Sequence, residues 1–335
     1  MHFKNLYIVD GSYALHRSLK QQNLFDLRNS ELERTGGIFG FLNILKKEIQ
    51  NIGDYFPIVC WDDGLSRRRL AVYDNYKKHR DHIEDPERKP FNEMTDDELD
   101  EDYVYNYKLQ RKKLIALLNT FGIPSLMFKH VEGDDLICWL SRHCEKCKVM
   151  TDDADMLQLL TETCMIRRPM HNELVRLDNF LKENEFDTIY DFVKKKAFLG
   201  DSSDNIPGAC FKVGEKSTAD FFKVYESLKE NNRMDLFQNE EELKTYCQSK
   251  GFKFKKAYCN FDENQYLNNL ELVDLNRIQD DEIPEAEIYE AIRKVYKNKD
   301  ISAPIHLLNK YEIKTVNTNI IFEALAMTRH NIKDN

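Results

Sequence analysis

Nine carboxylates fall in five short stretches of the chain: Asp10 in LYIVDGSY, Asp62 in PIVCWDDG, Glu132, Asp134 and Asp135 in HVEGDDL, Asp153 and Asp155 in VMTDDADML, and Asp201 and Asp204 in GDSSDNIPG. Most of them follow an apolar run, the place where an open α/β sheet presents its binding crevice. Acids spread for solubility would instead lie on polar faces at helical spacing. So many acids in one crevice repel one another strongly unless divalent cations neutralise them. Glu132 and Asp135 are three residues apart and share one face of a helix, whose N-terminal dipole favours anions. Asp153 and Asp155 are two apart just past a strand and can point the same way. Ligation by oxygen alone selects hard cations such as Mg²⁺ or Mn²⁺ over zinc. Two such ions about 4 Å apart can activate a water and stabilise the leaving oxygen of a phosphodiester. Metal-dependent phosphate chemistry is the first expectation.

The elements that would position these acids alternate. Apolar runs predict strands at 6–9, 57–61, 126–128 and 149–150, and helical spacing predicts helices at 37–49, 108–121, 133–144 and from 154. The Gly122-Ile-Pro sequence is a normal helix stop. Such a βαβ rhythm implies an α/β fold with a mostly parallel central sheet flanked by helices. After about Leu177 the pattern turns helical, which predicts a core over 1–177, a helical region over 178–300 and a tail over 301–335. The stretch 66–80 is basic and aromatic, and 81–102 is polar, with Pro86, Pro90 and seven acids between Glu93 and Asp102. Loops of this length are functional or disordered. The stretch therefore reads either as a solvated insertion or as a helical arch over about 64–107 with a cationic strand facing a phosphate backbone.

With 335 residues, 41% of them hydrophobic and 32% charged, the chain reads as a globular protein of one large or two modest domains. No apolar run is long enough to cross a membrane. The strand pattern begins too early for a signal peptide, and eight cysteines without framework spacing read as reduced thiols. A cytoplasmic, monomeric protein is expected. The net charge of −9 is unusual for a nucleic-acid binder, but the nine site carboxylates match the whole deficit. Bases cluster locally at 67–69, 77–80, 111–113, 194–196 and 253–256, and local potential governs binding more than the total does.

The motifs VDGSY, DDGLSRRR, YKKHR, VEGDDL, TDDADMLQLL and GDSSDNIPG, in this order, resemble those of the 5′-nuclease or flap endonuclease family. That family includes phage 5′-to-3′ exonucleases and the 5′-nuclease domain of bacterial DNA polymerase I. The likeness spans roughly residues 5 to 280 and implies a PIN-like sheet with a helical arch. It also implies a helix–three-turn–helix over about 198–222. In the family's pattern Asp10, Asp62, Glu132, Asp134, Asp135, Asp153 and Asp155 would surround a first metal, and Asp201 and Asp204 would complete a second. Asp62 and Asp63 compete for one role, and the family's spacing before the arch lysine points to Asp62. Lys77 and Arg80 would act as catalytic cations at the scissile phosphate, with Arg68, Arg69 and Lys78 beside them on the DNA. Gly208, Gly214 and Lys216 match the strand-gripping hairpin, whose carbonyls in the family hold K⁺. Here Ala209-Cys-Phe-Lys212 replaces the usual Val-x-Gly with one residue added, which alters that hairpin.

The resemblance implies a Mg²⁺-dependent hydrolase, with Mn²⁺ as a substitute, acting on DNA with a 5′ flap, nick or RNA primer in replication, primer removal or repair. A PIN-type ribonuclease and a catalytically silent junction-binding protein are the rivals. The tail reads either as a packing helix or as a tether to a replication protein such as a single-strand-binding protein or clamp. His143-Cys144-Glu-Lys-Cys147 contains a C-x-x-C without a second pair at zinc spacing and reads as helix-end thiols. Phe39 and Phe41 read as core residues.

Overall fold

The computed structural model describes residues 1–21, 23–78, 89–297 and 300–333. In chain order, β1 (His2–Asp10) leads through α1 (Gly11–Leu19) and α2 (Gly36–Ile49) to β2 (Phe56–Cys60). After α3 (Arg67–Val72) come α4 (Asp96–Glu101), α5 (Tyr103–Phe121), β3 (Ser125–Leu126), α6 (Gly133–Arg142), β4 (Cys144–Met150), β5 (Cys164–Arg168) and β6 (Glu173–Val175). Then follow α7 (Leu177–Asn184), α8 (Ile189–Leu199), α9 (Thr218–Glu230), α10 (Glu240–Lys250) and α11 (Glu263–Val273). The chain ends with α12 (Glu285–Lys297), α13 (Ser302–Lys310), α14 (Thr318–Thr328) and β7 (Ile332–Lys333). These elements form two compact units. The first comprises Met1–Ser66, Asp85–Lys182 and Ile278–Asn335; the second comprises Arg67–Glu84 and Glu183–Arg277.

The first unit is an α/β layer. Its sheet has the order β3-β2-β1-β4-β5-β6, with β7 added antiparallel to the start of β1. β2, β1, β4 and β5 pair in parallel, and β6 closes the edge antiparallel to β5. All five residues of β2, FPIVC, are buried, as a strand covered on both faces requires. The chain runs from β1 outward to β2 and β3, then returns to the other side of β1 as β4. Such a reversal of winding opens a crevice at the carboxyl ends of the two strands. There Gly11 lies so close to the Trp61 ring that a Cβ would sit 2.7 Å from it. The expected mostly parallel sheet with flanking helices is therefore present.

Three boundaries depart from the sequence reading. The strand expected at 149–150 starts at Cys144, because its first half is half-exposed and polar and lacks an apolar run. The C-x-x-C thus lies on a strand instead of at a helix end, and Cys147 is buried beside Cys164 of β5. Among the described residues no cysteine joins a group able to hold a metal ion. The helix expected from 154 is a 3₁₀ turn, Ala154–Leu159, and α5 begins five residues early, where Asp102 accepts the Tyr105 amide at 2.7 Å. Residues 301–333 pack within the first unit. Leu308, Tyr311, Ile321 and Leu325 are buried, and the Phe322 ring lies 5.5 Å from Phe121. Phe41 is core, stacked 5.6 Å from Trp61, while Phe39 is half-buried.

The second unit is helical and holds an aromatic core. Phe221 of α9 stands at its centre, with ring centroids of Phe198 at 4.3 Å, Phe261 at 4.9 Å and Tyr258 at 5.4 Å. Buried Asn269 of α11 donates to Ala197 O at 2.8 Å and Pro207 O at 2.7 Å, satisfying the end of α8 and the turn after it. No described helix in either unit is long and apolar enough to cross a membrane.

Candidate metal centre and nucleic-acid contacts

Asp10 is at once the last residue of β1 and the N-cap of α1. Its Oδ1 accepts the Tyr13 amide at 2.9 Å and its Oδ2 accepts the Thr151 hydroxyl at 2.9 Å. Burial, and then the charge of Asp62, push its pKa up to about 7 despite those two hydrogen bonds; Asp153 adds to the rise. Asp62, two residues past β2, accepts the Gly133 amide on Oδ1 at 2.7 Å. Its own amide donates to Ser12 Oγ at 3.2 Å, which ties the ends of β1 and β2 together. Asp63 Oδ1 lies 3.9 Å from Arg111 Nη2. Of this pair, Asp62 is the one whose charge raises Asp10.

The remaining acids of the first unit lie at the start of α6 and past the end of β4. Glu132 is buried ahead of α6, and its Oε1 accepts the Ser66 amide at 3.0 Å. Asp135 is buried in the first turn of α6, and Asp134 beside it is half-buried. The Cys60 thiol is pushed well above its usual pKa, by burial first and then by Asp10, Asp62 and Asp134. Thr151 bridges two acids: its hydroxyl donates to Asp10 and accepts the Asp153 amide at 3.0 Å. Asp153 caps the following 3₁₀ turn through the Asp155 amide at 2.8 Å. The donor set is all oxygen and partly desolvated, which fits a hard divalent cation. An acid whose ionised form is disfavoured by neighbouring acids gains most from such an ion.

The second unit holds its acids differently. Asp201 Oδ1 accepts the Ser203 amide at 2.8 Å and the Ser203 hydroxyl at 2.6 Å, and Lys196 Nζ lies 3.5 Å from Oδ2. Burial raises Asp201, but Ser203 and Lys196 outweigh it and hold the carboxyl below the ordinary value. Asp204 is buried; its carbonyl accepts the Lys77 amide at 2.9 Å, and Lys77 Nζ lies 3.9 Å from Oδ2. Asn205, in left-handed conformation at φ +60°, reaches Asn75 O at 2.9 Å. Two hydrogen bonds thus dock the GDSSDN turn on the turn that follows α3.

The basic residues expected on DNA divide accordingly. Lys77 is buried, at φ +55°, with Nζ 5.0 Å over the Tyr76 ring, and does not lie on a solvated helical face. Arg69 is buried too, and its Nε donates to Leu272 O at 3.0 Å; Arg68 Nη1 donates to Glu271 O. Both guanidiniums thereby hold the last turn of α11. Lys78 is exposed, with Nζ 3.2 Å from Asn75 Oδ1. Arg80, together with residues 79–88 at the crown of the expected arch, lies outside the described residues. Gly208 is demanded by the protein's own packing, since a Cβ there would sit 2.7 Å from Leu199 O, whereas Gly214 has nothing within 4 Å. Lys216 is exposed beside it.

Sequence reasoning passed over Thr151, Arg111 and Lys196. Arg111 Nη1 donates to Asp62 O at 2.6 Å, fixing the acid loop after β2. The signal for Thr151 was its place directly ahead of the paired acids. Lys196 was visible only as one of three lysines at 194–196, with nothing in the sequence to single it out.

The family model described as 5′-3′ exonuclease, N-terminal resolvase-like domain, matches residues 5–187. The 5′-3′ exonuclease of Aquifex aeolicus is 28% identical over 305 residues, covering 88% of this chain and 96% of that one. DNA polymerase I of Bacillus subtilis is 27% identical over 232 residues, covering 67% of this chain and 24% of that protein. Among solved structures, bacteriophage T5 5′-exonuclease with bound zinc superposes with a TM-score of 0.57 at 20% identity, covering 96% of this chain and 100% of that one. The T5 flap endonuclease in complex with DNA and metal ions gives 0.56 at 20% identity, with the same coverage. These two show a shared fold.

Proposed function

From the premise that this chain belongs to the 5′-3′ exonuclease family, and is therefore a nuclease that hydrolyses phosphodiesters, we propose that it acts on DNA near single-strand/duplex junctions, as a flap endonuclease and 5′-to-3′ exonuclease. Its relatives, 5′-3′ exonucleases, support the nuclease and the 5′ polarity. The T5 structural neighbour complexed with DNA and metal ions motivates the junction substrate. Acting beside DNA polymerase, in replication, primer removal or repair, fits the relatives named DNA polymerase I, about a quarter of whose length this chain matches. We assign the protein to the cytoplasm as a monomer.

The observation that carries this reading is Asp10, buried at the switch point of the sheet between the charges of Asp62 and Asp153 and pushed up to about 7. Mg²⁺, with Mn²⁺ as substitute, would supply there the positive charge that favours attack of water on the phosphodiester and departure of the leaving oxygen. In this assignment Asp10, Asp62, Glu132, Asp134, Asp135, Asp153 and Asp155 hold the first ion, and Asp201 and Asp204 complete a second. Thr151 and Tyr13 orient Asp10 by their hydrogen bonds. Lys77, fixed by the Asp204 turn, stabilises the charge that develops on the phosphate, with Arg80 as its partner. Lys78, Gly214 and Lys216 contact the DNA backbone, and Arg68 and Arg69 brace the segment that carries Lys77. At the hairpin, the carbonyls of Ala209, Cys210 and Gly214 each accept an amide, of Asp262, Val213 and Ser217, and each keeps a second lone pair with which the family's K⁺ would be held. A replication protein would bind through the tail, where Ile301, Ile305 and Met327 are exposed.

The test is incubation with labelled 5′-flap, nicked, RNA-primed and single-stranded substrates, with Mg²⁺, Mn²⁺ or EDTA. Junction-dependent release of 5′ fragments that EDTA stops is the expected result. Cleavage of single-stranded RNA alone would favour a PIN-type ribonuclease. Tight junction binding with no cleavage in either metal would favour a silent binder.

A further inference from the structure

The loop between α8 and α9 carries an aromatic ring that neither the fold nor the proposed metal centre uses. Its base is firmly held. Ala209, Cys210 and Val213 are buried; the Ala209 amide donates to Phe198 O at 2.9 Å, and Ala209 O accepts the Asp262 amide at 2.8 Å. Cys210 forms an antiparallel bridge with Phe261. Between these anchors Phe211 stands 69% exposed, far more than the next exposed aromatic residue, Tyr190 at 41%. A phenylalanine needed for packing would turn inward, as Phe198, Phe221 and Phe237 do in the same unit.

The surroundings of the ring are cationic. Lys212 occupies the left-handed region at φ +66°, which a side-chain-bearing residue adopts at a cost, and its Nζ lies 5.2 Å over the Phe211 ring. Three other lysines of the unit are matched with acids: Lys195 with Glu215, Lys253 with Asp220 and Lys256 with Glu240. Lys212 and Lys216 make no ion pair among the described residues, and Gly214 between them leaves open space within 4 Å. An exposed ring flanked by two unmatched cations complements a surface that alternates anions with apolar faces. The strand of a DNA duplex is such a surface, with deoxyriboses set between phosphates.

We propose that Phe211 is a duplex-contact and specificity residue, its ring lying against the deoxyriboses between phosphates engaged by Lys212 and Lys216. This rests on the reading of the chain as a junction nuclease. The contact favours DNA over RNA in the gripped strand, because a 2′-hydroxyl would place a polar group against the ring. It replaces, with a side chain, part of what a glycine-rich hairpin does with backbone alone.

The experiment is fluorescence anisotropy of a labelled nicked duplex, with Ca²⁺ in place of Mg²⁺, over a range of salt concentrations. Phe211→Ala should weaken binding by roughly 5- to 20-fold without changing the salt slope, since no phosphate contact is lost. Its single-turnover cleavage rate at saturating enzyme and its melting temperature should match the wild type. Lys216→Ala should instead reduce the salt slope by about one. With RNA in the gripped strand, Phe211→Ala should lose the wild-type preference for DNA by a similar factor, and Phe211→Trp should keep it and change its emission on binding. Wild-type affinity in Phe211→Ala, or a loss that fades at high salt, overturns the contact while leaving the nuclease intact. Failure of the wild type to bind or cut any junction overturns the underlying function instead.

Discussion

Asp10 and Asp201 are both aspartates at the end of a regular element, and their environments act on them in opposite directions. Asp10 sits at the tip of β1, where burial and then Asp62 raise its pKa to about 7 against two hydrogen bonds. Asp201 sits past α8, where Ser203 and Lys196 overcome burial and keep it below the ordinary carboxylate value. The first environment stores electrostatic stress that a cation would release; the second is already neutralised by the protein's own groups. Stress of this kind marks sites built for a ligand and not for stability. Under the proposed function the α/β unit holds the stressed acid, and the helical unit holds Lys77 and the GDSSDN loop in pre-formed polar turns.

The largest test of this contrast is Asp10→Asn. It keeps the shape and the acceptor for the Tyr13 amide, and turns the second position into a donor, so that the Thr151 hydroxyl must accept there. It also removes the charge, so cleavage should fall by at least about a thousandfold in Mg²⁺. The same change should stabilise the metal-free protein. The folded pKa of Asp10 lies above its unfolded value of 3.8, so the folded chain holds the proton longer and loses stability as pH rises from about 4 to about 7. At about 1.4 kcal/mol per pKa unit, that shift of the buried carboxyl is worth roughly 4 kcal/mol. Asp10→Asn should therefore melt higher than the wild type at pH 8 in EDTA, with the two converging near pH 4. A variant that is inactive and also less stable would show Asp10 to be a structural cap alone. Asp201→Asn should show no such stabilisation, since its charge is already accommodated.

A smaller loss is expected on the other side of the comparison. Lys77→Ala should lower the single-turnover rate by roughly a hundredfold, the scale of losing one preorganised charge at a developing oxyanion. Because Lys77 is buried against Tyr76 and Asp204, thermal melting must be compared in parallel. Lys77→Arg should restore the fold if packing is the issue, and part of the rate if charge is. An unchanged rate in Lys77→Ala would leave the lysine as a brace for the Asp204 turn.

The two units also differed in how openly the sequence declared them. The acids after β1, β2 and β4 were legible because each ends a short apolar run, and strand ends are where a parallel sheet exposes side chains to a crevice. The choice between Asp62 and Asp63 rested on the family's spacing; in the structure Asp62 takes the Gly133 amide, and Asp63 lies 3.9 Å from Arg111. The burial of Arg69 was not legible. Its partner, Leu272 O, lies 203 residues along the chain, and no local pattern encodes that carbonyl. Thr151 was hidden for a different reason: a hydroxyl that bridges Asp10 to the Asp153 amide looks like any polar strand end until the strands are paired.

The subtlest consequence concerns protons. Below about pH 7 the metal-free Asp10 is increasingly protonated, so a divalent ion entering the site must displace that proton. Asp201, held below the usual value, is ionised across the same range and offers no such competition. The Mg²⁺ concentration giving half-maximal cleavage should therefore rise as pH falls below 7, by up to about tenfold per unit for a single displaced proton. Half-saturation is the readout to use, because the maximal rate also falls with pH as the attacking water becomes harder to deprotonate. In Asp201→Asn the curve should be displaced to higher Mg²⁺ with its slope preserved, since the titrating group is elsewhere. Calorimetry of Mn²⁺ binding in buffers of different ionisation enthalpy counts the proton directly. It should find a fraction of one proton released at pH 7 and close to one at pH 6, with none in Asp10→Asn. A pH-independent half-saturation in the wild type, or proton release that survives Asp10→Asn, would move the stressed carboxyl away from Asp10 and erase the asymmetry between the two units.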